Sequence, residues 1–142
     1  MSALIQFFSE DIDYRIDQES VILDWILQVI ETEGFEAGVI NIIFCNDAYL
    51  LELNQKFLER DTLTDVIAFD YREKDSEVSG DVFISHDRTM DNAIKFRQTP
   101  DKENHRVIIH GILHLCGYSD KTVEEKAAMT KKEDNYLSLL PL

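Results

Sequence analysis

Apolar residues recur along this chain with two periods, and the places where one period gives way to the other mark out its elements. Ile5-Gln6-Phe7-Phe8 reads as a first strand. From Glu19 to Glu33, the residues Val21, Ile22, Trp25, Ile26, Val29 and Ile30 fall on one face of a helix, and Gly34 stops it. Val39 to Cys45 is rich in β-branched residues and reads as a strand. A helix from Asn46 to about Phe57 follows, with Leu50, Leu53 and Phe57 on its expected buried face. Asp65 to Tyr71 and Gly80 to Ser85 predict two further short strands, joined by the polar, turn-prone run Arg72 to Ser79. Three helical segments complete the pattern at about Asp87 to Phe96, Asp101 to Cys116 and Val123 to Leu139, with Pro100 separating the first two. Few strands among many helices predict an α+β fold, an α/β sandwich in which several helices pack over a small mixed sheet of about four strands.

No repeat, low-complexity stretch or linker divides the 142 residues, so a single domain spanning 1–142 is expected. A hydrophobic fraction of 44% is enough for an ordinary core. No apolar run is long enough to span a bilayer, and Ser9-Glu10-Asp11 interrupts the apolar start too soon for a signal peptide, which predicts a cytoplasmic protein with no membrane partner. Cys45 and Cys116 lie in apolar contexts that suit a reducing compartment. Acidic residues outnumber basic ones 28 to 14, a net charge of −14 that repels polyanions at long range. Lys95, Arg97, Lys102 and Arg106 form the one concentrated basic stretch; such a stretch is either a local anion site or a solvated helix start.

The chemistry is concentrated in His110-Gly111-Ile112-Leu113-His114-Leu115-Cys116-Gly117-Tyr118-Ser119-Asp120. Four residues along a helix leave two side chains about 40° apart around the axis and roughly 6 Å apart along it, close enough for both imidazoles to reach one ion. Gly117 can take the left-handed conformation that ends a helix. Asp120 would then return with a third, oxygen ligand, leaving an open position for water as in catalytic zinc sites. The same pair can instead be hydrogen-bonded core histidines, with Asp120 as a helix cap. Two details favour the metal. Thr122-Val123-Glu124-Glu125 already supplies a capping box, and Val107, Ile108, Ile109, Ile112, Leu113 and Leu115 already supply the apolar faces. Cys116 lies about 240° around the helix from His110 and is expected in the core. Gly111 stands where a zinc peptidase carries its glutamate, which argues against peptide hydrolysis.

Three runs together resemble the bacterial YbeY family: His110 to Tyr118; Leu53-Asn54 through Asp61, Thr64-Asp65-Val66-Ile67 and Phe69; and Gly80-Asp81-Val82-Phe83-Ile84-Ser85. Their order and spacing match over roughly Val39 to the C-terminal helix. The resemblance implies a metal-dependent endoribonuclease of ribosomal RNA maturation and ribosome quality control, with ribosomal RNA and the small ribosomal subunit as partners; the acidic charge adds basic ribosomal proteins as candidate partners of an assembly factor. Two positions depart from the family pattern. Asp120 stands where the resemblance implies a third histidine. Leu58 stands where it implies an arginine, with Arg60 two residues along.

The reading is therefore a divalent ion, Zn2+ by ligand chemistry, held by His110, His114 and Asp120 for phosphodiester hydrolysis. Arg60 and Arg106 are candidates to bind the scissile phosphate, Arg106 because it precedes His110 by one turn on the same stripe. Each is equally able to pair with a nearby carboxylate. Two alternatives remain. A zinc hydrolase of another substrate class would need a base such as Glu124 or Asp65, and a non-catalytic ribosome-assembly factor would keep the metal for structure.

Overall fold

A computed structural model describes residues 4–58 and 64–142. Four strands, β1 (Leu4–Ser9), β2 (Glu36–Cys45), β3 (Val66–Asp70) and β4 (Glu77–Ser85), form one sheet in the order β1-β2-β4-β3. β1 and β4 both run parallel to β2, and β3 closes one edge antiparallel to β4, so the sheet is mixed as expected. Five helices accompany it: α1 (Glu19–Thr32), α2 (Asp47–Leu58), α3 (His86–Lys95), α4 (Pro100–Leu115) and α5 (Val123–Leu137).

Strand alternation decides which face each helix covers. Ile40, Ile42, Phe44, Val78, Val82 and Ile84 meet Ile22 and Ile26 of α1 and Ile108, Ile109 and Ile112 of α4 in the main core. Cys45 and Ile67 point to the other face, where Leu50 of α2 closes a smaller cluster. α4 carries the candidate ligands and lies unusually near the sheet. A Cβ on Gly111 would stand 2.5 Å from Val82 Cγ1 and 3.3 Å from Val66 Cγ2, so this glycine sets the height of the helix over β3 and β4. Thr99 and Pro100 start α4, the Thr99 hydroxyl accepting from the Lys102 amide at 3.2 Å.

Three expectations shift. β2 and β4 each begin three residues early, at Glu36 and Glu77, because Glu36 and Ala37 pair with Glu77 and Val78. The polar side chains there suggested a turn, but the backbone ladder continues regardless of them. α5 ends at Leu137, two residues short of Leu139. On α2 the buried positions are Leu50 and Asn54, one turn apart, while Phe57 is 64% exposed.

Candidate metal centre

His110 and His114 project from the last two turns of α4, and the end of that helix is built to bring Asp120 back to them. Gly117 has φ +105°, its amide donates to the His114 carbonyl at 3.0 Å, and the Tyr118 amide donates to the Leu113 carbonyl at 3.1 Å. This paired closure turns the chain sharply. Thr122 and Glu125 form the expected capping box of α5, which leaves Asp120 free for other work. Arg72 steadies the same end from the β3–β4 connection by donating to the Leu115 carbonyl.

The three side chains converge. His110 Nε2 and His114 Nε2 are 3.0 Å apart, and Asp120 Oδ2 lies 3.2 Å from the first and 3.4 Å from the second. Ligands about 2.0–2.1 Å from a tetrahedral ion are about 3.3 Å from one another, so this triangle has the right edge. Tautomers agree with the geometry. The Tyr118 carbonyl at 2.9 Å from His114 Nδ1 can only accept, and the Glu133 carboxylate lies 2.5 Å from His110 Nδ1. Both Nδ1 atoms therefore donate, which leaves both Nε2 lone pairs for the triangle they form with Asp120 Oδ2. Two imidazole nitrogens and a carboxylate oxygen at this spacing can share one cation, so the residues present fit a divalent metal.

Glu133 had no place in the sequence reading. Its signal was available: Met129, Glu133 and Tyr136 fall at i, i+4 and i+7 on α5, and all three are buried. Its second oxygen accepts from Arg106 Nη1 at 2.9 Å, while Arg106 Nη2 donates to Asp134 Oδ1 at 2.6 Å. Burial of His110 lowers its pKa, but the Glu133 hydrogen bond, helped by Asp65 and Asp120, outweighs it and the net shift is upward. The Asp65 carboxyl is pushed up by burial.

An open cleft of about 540 Å³ exposes the ligands to solvent. Asn54 and Leu58 of α2 and the segment from Thr64 to Ala68 form its other wall, and Lys121 stands at its rim. Arg106, Glu103 and Glu133 line an adjoining smaller cavity that also reaches Asp65, His110 and Asp120. Glu124 is exposed, and Cys116 is buried as expected. Arg60 lies outside the described residues.

The family model described as Endoribonuclease YbeY matches residues 5–141. The chain belongs to the YbeY family. Among relatives bearing the name Endoribonuclease YbeY, the chain is 47% identical to that of Flavobacterium psychrophilum over 93% of its own length and 94% of the relative's. It is 46% identical to that of Cytophaga hutchinsonii, over 95% and 94% respectively. A solution structure of a Thermotoga maritima protein superposes with a TM-score of 0.66 at 27% identity, covering 96% of this chain and 89% of that one. The YbeY match thus extends well upstream of the motifs, through β1 and α1.

Proposed function

We propose that this chain is a metal-dependent endoribonuclease that hydrolyses phosphodiester bonds of ribosomal RNA during maturation and quality control of the small ribosomal subunit, with zinc held by His110, His114 and Asp120. The observation that carries this reading is the convergence of the three donor atoms within 3.4 Å of one another at the floor of an open cleft, in a chain of the YbeY family. A divalent ion there supplies Lewis acidity toward a phosphoryl oxygen and lowers the pKa of water.

The chain's own residues do the positioning. Glu133 and the Tyr118 carbonyl hold the two imidazoles with Nε2 facing inward, and Asp120 adds the negative charge that favours a dication. Arg106 holds Glu133 in turn. Its guanidinium already satisfies two carboxylates, so a phosphate reaching it must compete with Glu133 and Asp134. Arg60 remains the other candidate for the phosphate. Asp65 lines the cleft beside His110, and burial pushes its carboxyl above the usual carboxylate range. No helix among the described residues is long and apolar enough to cross a membrane.

Incubation of structured ribosomal RNA with the metal-reconstituted protein, beside a His114→Ala variant, tests the proposal. Discrete cleavage by the parent and none by the variant is expected. Equal cleavage by both would place the chemistry elsewhere, and no cleavage by a fully loaded parent would favour an assembly factor.

A further inference from the structure

On the face of β3 that points away from α4 lies a row of aromatic rings that the metal centre does not use. Phe57, at the end of α2, meets Phe69 edge to face with centroids 5.9 Å apart. Tyr71 lies parallel to Phe69, 6.5 Å away and tilted by only 6°, and Phe83 of β4 and Tyr49 of α2 continue the row at 5.8 and 6.1 Å. The inner rings pack against the small core, but Phe57 is 64% and Tyr71 59% exposed. Two rings more than half in water, held in place by a third, present fixed π-faces at a surface.

The row adjoins the cleft. Asn54 and Leu58, either side of Phe57 on α2, and Ala68 and Asp70, either side of Phe69 on β3, line the cleft that holds His110 and His114. Among the described residues, β3 is an edge strand of the sheet. The rings therefore lie across the β3 edge from the cleft.

Charge selects the mode of recognition. With a net charge of −14, the molecule has little long-range attraction for a polyanion. Lys56, next to Phe57, is paired with Glu52 at 3.2 Å, and Arg72, next to Tyr71, with Asp70 at 3.0 Å. The basic side chains next to the two exposed rings are thus both already paired. Stacking of bases on aromatic rings needs no free positive charge, tolerates any base and requires the strand to be unpaired.

We propose that Phe57, Phe69 and Tyr71 form a stacking platform for unpaired bases of an RNA substrate that continues the metal cleft over the β3 edge. The inference rests on the endoribonuclease reading and adds to it a binding site and the residues that form it.

Phe57→Leu and Tyr71→Leu keep apolar bulk and remove the π-face at exposed positions. Binding is measured on the metal-loaded protein with a labelled oligodeoxyadenylate 12-mer, which an endoribonuclease leaves uncut, and with its duplex, over a range of salt. Each substitution is expected to weaken single-strand binding roughly tenfold, with metal content and melting temperature unchanged. The salt slope should stay the same, because no charge is removed. On single-stranded RNA, KM should rise with kcat retained, the mark of lost uniform binding. Phe57→Trp should bind at least as tightly, and its indole emission should be quenched by the 12-mer; the chain's own tryptophan, Trp25, is buried.

Unaltered single-strand binding in both leucine variants overturns the platform, as does equal binding of duplex and single strand. Retained affinity in the leucine variants alongside capture of a basic protein would assign the patch to a protein partner instead. If the parent cuts RNA while the leucine variants bind and cut like it, the platform alone falls. If the parent neither binds nor cuts, the endoribonuclease reading falls with it.

Discussion

Each ligand of the candidate centre is held by a neighbour that sets its direction, and the two kinds of residue differ in how they can be found. His110, His114 and Asp120 are linked by local geometry, a helical turn followed by a glycine-ended return, so their sequence spacing was sufficient to bring them together. Asp120→Ala is expected to lose the metal while the fold survives, because the residue lies outside the apolar clusters; elemental analysis beside a thermal melt checks both halves. Asp120→His is expected to keep or raise zinc affinity, since the return loop already places a side chain there. Retention of metal by Asp120→Ala would mean that another residue closes the site. Glu133 is separated from His110 by 23 residues and reached it only through packing of α5 on α4. Glu133→Gln keeps the shape but replaces a charged acceptor, and we expect metal affinity to fall about 10–100-fold in a calorimetric titration. An unchanged affinity would reduce the Glu133 contact to a structural one.

At the scale of elements, the centre depends on how low α4 sits on the sheet. The order and type of the nine elements among the described residues were legible from their periods and caps, such as Thr99-Pro100 for α4, Thr122 to Glu125 for α5, and Gly34 after α1. Strand starts were less legible. Glu36 and Glu77 look like turn residues, yet they pair with each other through main-chain groups that the side-chain pattern does not report. Phe57 was misplaced for a related reason: hydrophobicity marks it as core, but the helix turns Asn54 inward and leaves the ring at the rim. Gly111 shows the packing constraint most directly. Gly111→Ala would press a methyl group onto Val82 and Val66, and we expect a loss of about 1–3 kcal/mol, seen as a lower melting temperature. A melting temperature at or above that of the parent would show that α4 has room to lift, and that the spacing of His110 and His114 from the cleft wall is not fixed by this contact.

The molecule as a whole carries a net charge of −14, yet its cleft belongs to an endoribonuclease family whose substrate is a polyanion. Among the described residues, Lys121 and Arg106 are the basic side chains that line the cleft and its adjoining cavity, and Arg106 is already bound by Glu133 and Asp134. RNA affinity should therefore fall with rising salt along a shallow slope set by a few phosphates. Neutralising Arg60, Lys95 or Arg97 should weaken binding, and neutralising Arg106 should also lower metal affinity by releasing Glu133. A steep slope would reveal a larger basic footprint than the described surface presents. Net charge was legible from composition, whereas the neutralisation of Arg106 by α5 needed the tertiary structure. The central claim is that one ion held by His110, His114 and Asp120 is what makes this chain a nuclease. Its most direct test is to strip the protein of metal and follow ribosomal RNA cleavage as zinc is returned in fractions of an equivalent. Activity should rise in proportion and level off at one equivalent, with His114→Ala flat throughout; full cleavage by the stripped protein, or a His114→Ala variant that follows the same curve as the parent, would contradict it.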